Sequence, residues 1–156
     1  MRRLLSLFFV GIVFCSALAF AEETFTVSGQ VKFPGDGDVI MNLLTKEEET
    51  LGKDTPQERI LVIKLTPEQR KAGKASFNFT GVPKGAYIIR CFQDVNGNGK
   101  LDLGDATTAK SAIVDRDLLV RLEPAGVYKS YWPFDWNRSN FLVDRDITGI
   151  KIRLEK

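Results

Sequence analysis

The eight residues Ala86-Tyr87-Ile88-Ile89-Arg90-Cys91-Phe92-Gln93 are apolar on both faces when read at the two-residue period of a β-strand, and they run without a break into Asp94-Val95-Asn96-Gly97-Asn98-Gly99. A strand of this kind cannot leave either face in water, so it belongs in the middle of a sheet with other structure packed against it. The polar residues that follow must then lie at an end of that sheet. One stretch therefore predicts both a central strand and a loop carried at its tip.

Elsewhere the alternation is one-sided. Phe25, Val27, Gly29, Val31 and Phe33 alternate with Thr26, Ser28, Gln30 and Lys32, the pattern of a strand with one wet face. Val39 to Leu44 and Ile60 to Leu65 read as strands, and Phe77 and Phe79 face inward from another. Leu118, Val120 and Leu122 give one more; Ile150, Ile152 and Leu154, separated by Lys151 and Arg153, give the last. Pro34-Gly35-Asp36-Gly37-Asp38 and Val82-Pro83-Lys84-Gly85 read as turns, and Pro67-Glu68-Gln69-Arg70 as a one-turn helix or loop. Residues 45–58 carry three consecutive glutamates, Gly52 and Pro56, with almost nothing apolar to bury, and are expected to be a solvated, mobile connection. About seven short strands with polar turns and no helical period predict an all-β chain, a single antiparallel β-sandwich of immunoglobulin-like type.

Met1-Arg2-Arg3, the apolar run from Leu4 to Phe20 and the ending Ala19-Phe20-Ala21 have the basic start, hydrophobic middle and small-residue close of a secretory signal peptide. The expected organisation is a signal peptide at 1–21 and one domain at 22–156, in the periplasm or secreted. An uncleaved membrane anchor is the alternative reading of the same run. Without residues 1–21 the chain has 135 residues, 20 of them basic and 20 acidic. That balance supplies no net charge to attract nucleic acid or anionic lipid, so neither is an expected partner. Only Cys91 remains, which leaves no internal disulfide and reads as a buried, inert thiol.

The loop from Asp94 to Asp105 places oxygen ligands at the spacing that a hard cation requires. Asp94, Asn96 and Asn98 take positions one, three and five, Gly99 the sharp turn at six, the Lys100 carbonyl position seven and Asp102 position nine. Leu101 is expected to point into the core as an anchor. Asp105 stands at position twelve, where the calcium pattern has the longer Glu. Three carboxylates with a short final ligand point to weak Ca²⁺ binding, with a dissociation constant of about 10⁻⁴ to 10⁻³ M. A plain Asn-Gly turn is the simpler reading, but a turn does not call for Asp at positions one, nine and twelve as well.

Taken in order, Val27-Ser28-Gly29-Gln30-Val31, then Phe77-x-Phe79-x-Gly81-Val82-Pro83-x-Gly85-x-Tyr87, resemble transthyretin-like and carboxypeptidase-regulatory-like sandwich domains. The stretch Asp94 to Asp102 resembles the EF-hand-like calcium loops of related domains in bacterial secreted and surface proteins, among them the B-type repeats of adhesins. That resemblance implies a non-catalytic binding or structural module.

Tyr128, Tyr131, Trp132, Phe134, Trp136 and Phe141 lie within fourteen residues interrupted by Pro133. They read either as a cap over an open end of the fold or as a stacking platform, with Tyr131, Trp132 and Trp136 presented to a glycan or to another exported protein. The absence of histidine excludes His-dependent triads, and a single thiol excludes thiolate zinc clusters. No carboxylate pair stands out for glycoside hydrolysis. The expectation is a non-enzymatic, Ca²⁺-binding module, with ligand binding through the aromatic segment as the alternative.

Overall fold

The computed structural model describes residues 22–104, 120–121, 123–129 and 135–155. The expected leader at 1–21, the expected strand residues Leu118 and Leu122, the proposed ligand Asp105, and Tyr131, Trp132 and Phe134 lie outside them. The described residues form two main sheets that face each other across the larger of two apolar clusters.

The first sheet has three strands. β1 (Thr24–Lys32) is the middle strand, antiparallel to β4 (Lys74–Pro83) and parallel to β10 (Ile147–Arg153). Val27 and Val31 of β1, Phe77 and Phe79 of β4, and Ile150 and Ile152 of β10 are buried, while Asn78 and Lys151 between them are exposed and Ser28, Gly29 and Gln30 of the middle strand are half-buried. The period-two alternation read from the sequence is plain in the burial of β4, and in β1 it shows at Val27 and Val31.

The second sheet runs β3 (Ile60–Ile63), β2 (Asp38–Leu44), β5 (Gly85–Asp94) and β8 (Ala125–Val127), with β9 (Phe141–Val143) pairing the start of β5. All its pairings are antiparallel. β5 is central, as expected: Ile88 and Ile89, on opposite faces, are both fully buried. Its inner face joins the main core through Ile89 and Cys91. Its outer face is covered by a smaller cluster of Ile40, Phe92 and Ala125, against which Ile60 and Leu101 pack. A two-stranded ribbon of β6 (Leu103–Gly104) and β7 (Val120–Arg121) follows the loop.

Two expectations are corrected. The sheets are antiparallel-rich but not wholly antiparallel, because β9 pairs with β5 in the second sheet and the chain then crosses to the first, where β10 runs alongside β1 in the same direction. Parallel and antiparallel neighbours show the same side-chain alternation, so the pattern did not carry this distinction. The segment 45–58 is not a mobile connection. It forms α1 (Lys46–Leu51) and a 3₁₀ turn at Gln57–Arg59. Thr45 and Glu48 make a reciprocal capping box, and Gly52 closes the helix in the left-handed conformation at φ 63°. Glu48 also binds Arg59, with only 9% and 11% of the two side chains exposed, and Arg59 lies 5.6 Å from the Tyr87 ring centroid. Glu49 pairs with Arg90 at 2.9 Å, and burial raises the Glu49 carboxyl above its usual range against the opposing pull of Arg90. Two of the three glutamates thus anchor α1 to the second sheet.

The one-turn helix is α2 (Pro67–Ala72), capped in the same way by Thr66 and Gln69. Among the described residues no helix is long and apolar enough to cross a membrane.

Candidate metal centre

The base of the loop is fixed before the loop begins. Gln93, fully buried at the end of β5, accepts the Gly35 N–H at 2.9 Å and donates to the carbonyls of Gly35 and Gly37 at 2.6 and 2.9 Å. A buried amide must place its donors and acceptor on partners, and here it does so on the turn that precedes β2. Gly37 is needed for this docking, because a Cβ there would sit 2.2 Å from the Asp94 carbonyl oxygen. Asp38 stands directly across from Asp94 in the β2–β5 pairing. It accepts from the Leu65 N–H at 3.1 Å and pairs with Lys64 at 2.8 Å and Arg70 at 3.2 Å. The hydrogen bond from Lys64 is the main cause that holds the Asp38 carboxyl below its ordinary range.

The loop then folds around Asp94, which is 8% exposed. One carboxylate oxygen accepts the Asn98 N–H at 3.0 Å and the other the Gly99 N–H at 2.9 Å. Asn96 accepts from Asn98 N–H at 3.1 Å and Asn98 from Lys100 N–H at 2.8 Å, two successive Asx-type turns. Gly97 and Gly99 take φ of 77° and 75°, where a side chain would be strained. Asp102 receives the Asn98 side-chain amide at 2.9 and 3.1 Å and that of Asn96 as well. Asp94, Asn96, Asn98 and Asp102 are therefore brought together in one loop. Lys100 is exposed, and its N–H is the donor that closes the Asn98 turn.

Glu123 was not among the residues that the sequence singles out. It is 3% exposed, and its carboxylate accepts the Val95 N–H at 2.7 Å through one oxygen and the Asp102 N–H at 3.2 Å through the other. One side chain thus grips both arms of the loop. It is placed there by the segment entering β8, whose Pro124 carbonyl accepts the Gln93 N–H at 2.8 Å. In sequence Glu123 lies beyond the loop among alternating apolar residues, and a charged residue in that setting was the only available signal.

Among the described residues none of Asp94, Asp102 and Glu123 forms an ion pair with Lys or Arg. No three His, Cys, Asp or Glu side chains converge as a metal cluster among the described residues either. The side-chain donor set of the loop is mixed, two carboxylates with two amides, and such oxygens are what a hard cation takes. Among the described residues each carboxylate oxygen of Asp94 has one N–H partner, which leaves it a second lone pair. Leu101 anchors the loop, but on the outer cluster with Ile40 and Phe92, not in the main core. A cavity of about 370 Å³ lies beside it, bounded by Asn42, Arg90, Phe92 and Lys100.

The aromatic segment divides. Tyr128 and Phe141 meet edge to face at 5.5 Å, with Phe141 in the main core and Tyr128 packed against it. Trp136 opens α3 (Trp136–Ser139) and is half-buried. Cys91 is buried, its thiol directed at the Gly126 carbonyl at 3.5 Å, and burial pushes its pKa far up, as expected of an inert thiol.

No curated protein and no solved structure matches the chain. A family profile matches residues 25–110, which runs from β1 through the whole loop and covers more than half of the sequence. The chain belongs to DUF2141, a family described as uncharacterized protein conserved in bacteria.

Proposed function

We propose that this protein is an exported, non-catalytic β-sandwich module of transthyretin-like type whose 94–105 loop binds one Ca²⁺ ion. The observation that supports this most is the wrapping of the loop around Asp94: a nearly buried carboxylate, two turns formed by amide oxygens, and Asp102 opposite, with no Lys or Arg paired to either acid among the described residues. The ion supplies positive charge close to these oxygens, whose nearest partners among the described residues are N–H groups, with the Lys64 ammonium acting on Asp94 only from beyond ion-pair distance. Asn96 and Asn98 turn their amide oxygens toward it, and Asp102 exchanges its amide N–H partners for the ion. Glu123 holds the two arms at the right separation from behind.

The role is structural. β5 and the docked 34–38 turn are rigid supports, so there is no helix pair to open as in a calcium sensor. An ion that binds only the folded state stabilises it by mass action. With a dissociation constant of about 10⁻⁴ to 10⁻³ M, Ca²⁺ at about 10 mM adds roughly 1.4 to 2.7 kcal/mol. Thermal melts in Ca²⁺ and in EDTA test this. A midpoint higher by several degrees in Ca²⁺ is expected, and coincident melts at millimolar Ca²⁺ would remove the proposal.

A further inference from the structure

The three-stranded sheet carries a charge distribution that the balanced composition conceals. β1, β4 and β10 contain Lys32, Lys74, Lys151 and Arg153 and no Asp or Glu at all. The register gathers these cations on one face. Lys32 is paired with Lys74 on one side and with Arg153 on the other, so three cationic side chains stand directly opposite one another across three adjacent strands. Lys151 is two residues from Arg153 on the same face, beside Gln30. All four are exposed, because Val31, Ala75, Ile150 and Ile152 alternate with them into the core.

Like charges directly opposite on a sheet destabilise it. Among the described residues the acid paired to this row is Glu155, 3.9 Å from Arg153, with half or more of each side chain in solvent, so it neutralises little. Two shallow depressions lie on this surface, of about 330 and 290 Å³, and Lys32 and Arg153 line both. Between the cations the face offers only Ser28, Gln30, Ser76 and Asn78.

We propose that this face binds an acidic polysaccharide, a chain bearing carboxylate or sulfate groups. Strands lie about 4.8 Å apart, so Arg153, Lys32 and Lys74 form a line about 10 Å long, which suits an extended polyanion better than a point anion. The interleaved hydroxyl and amide groups match sugar hydroxyls. A membrane surface fits less well, because peripheral binding adds apolar insertion to charge, and the exposed large apolar residues Leu51, Val62, Val95 and Leu142 all lie off these strands. A single-stranded nucleic acid fits less well too, because among the described residues these three strands turn no aromatic ring outward for a base to stack on.

The test is retention of the purified protein on immobilised heparin and polygalacturonate. Binding is expected at about 0.01 M salt and release well before about 1 M, where the screening length has fallen to about 3 Å. Lys32→Glu with Lys74→Glu should abolish retention without lowering the thermal midpoint, since Glu at 32 would face Arg153. Lys46→Glu with Lys53→Glu, the same charge change at the start of α1 and just beyond its end, should leave retention nearly intact. Absence of retention at low salt, or equal loss in the two double variants, would overturn the proposal. So would capture by phosphatidylglycerol vesicles without capture by either polysaccharide.

Discussion

Replacing Glu123 by Ala removes one side chain and cuts two ties, to the Val95 and Asp102 N–H groups at 2.7 and 3.2 Å. A hydrogen bond to a charged acceptor contributes about 1.5 to 3 kcal/mol, which sets an upper range of about 3 to 6 kcal/mol for the pair. Two features lower it. Val95 is exposed and Asp102 only half-buried, so water replaces part of what the carboxylate gave, and the longer bond is the weaker of the two. Losing a buried charge that has no cationic partner among the described residues also recovers desolvation cost. We expect a net loss of about 2 to 4 kcal/mol, which for a domain of this size lowers the melting midpoint by roughly 6 to 15 °C. Glu123→Gln keeps one acceptor oxygen and should lose about half as much, because its amide then faces an N–H group. Urea denaturation in EDTA measures the structural part, and a Ca²⁺ titration at a temperature where both proteins are folded measures the effect on the loop. An alanine variant within about 0.5 kcal/mol of the native protein, the usual range for a plain surface change, would refute the clamp.

Gly37→Ala should cost about 1 to 3 kcal/mol and weaken Ca²⁺ binding together, since the new methyl group must push the Asp94 carbonyl away; urea melts and a Ca²⁺ titration report the two effects. Glu48→Ala leaves the Arg59 guanidinium buried without its carboxylate and should cost about 3 to 5 kcal/mol in the same melts, whereas Glu47→Ala, at an exposed pair with Lys53, should be indistinguishable from the native protein. Asp38 has a lowered carboxyl pKa, so the stability it contributes is present above about pH 3.8 and is lost as the pH falls through its lower folded value. Asp38→Asn should flatten the acid limb of stability measured between about pH 5 and 2 in that window, and an unchanged limb would remove Asp38 from the account.

Strands whose alternation was one-sided were legible because burial and period coincide. Val27, Val31, Phe77, Phe79, Ile150 and Ile152 all point where the pattern placed them. β5 was legible for the opposite reason, having two apolar faces, and the place of the loop followed from it. The parallel pairing of β1 with β10 was not legible, because register and direction are set by the path of the chain between sheets and not by the strands themselves. Strands of two or three residues, such as β8 and β9, are too short to display any period.

Residues 45–58 were misread from composition. Their low apolar content was real, but Thr45-x-x-Glu48 is a capping signal, and Glu48 and Glu49 are held by arginines at positions 59 and 90, which local patterning does not bring near. The candidate site divides in the same way. Asp94, Asn96, Asn98 and Asp102 are neighbours in the chain and could be read from spacing, whereas Glu123 and Gly37 reach the loop through tertiary pairing. The cationic row on the first sheet belongs with the latter pair, because only register places Lys32 between Lys74 and Arg153.

The most direct test of the metal assignment is calorimetric titration of Ca²⁺ into EDTA-stripped protein, run beside Asp94→Ala. One binding event per chain with a dissociation constant of about 10⁻⁴ to 10⁻³ M, absent from the variant, is the predicted result. Heat no greater than dilution at millimolar Ca²⁺, or an undiminished titration in Asp94→Ala, would contradict it.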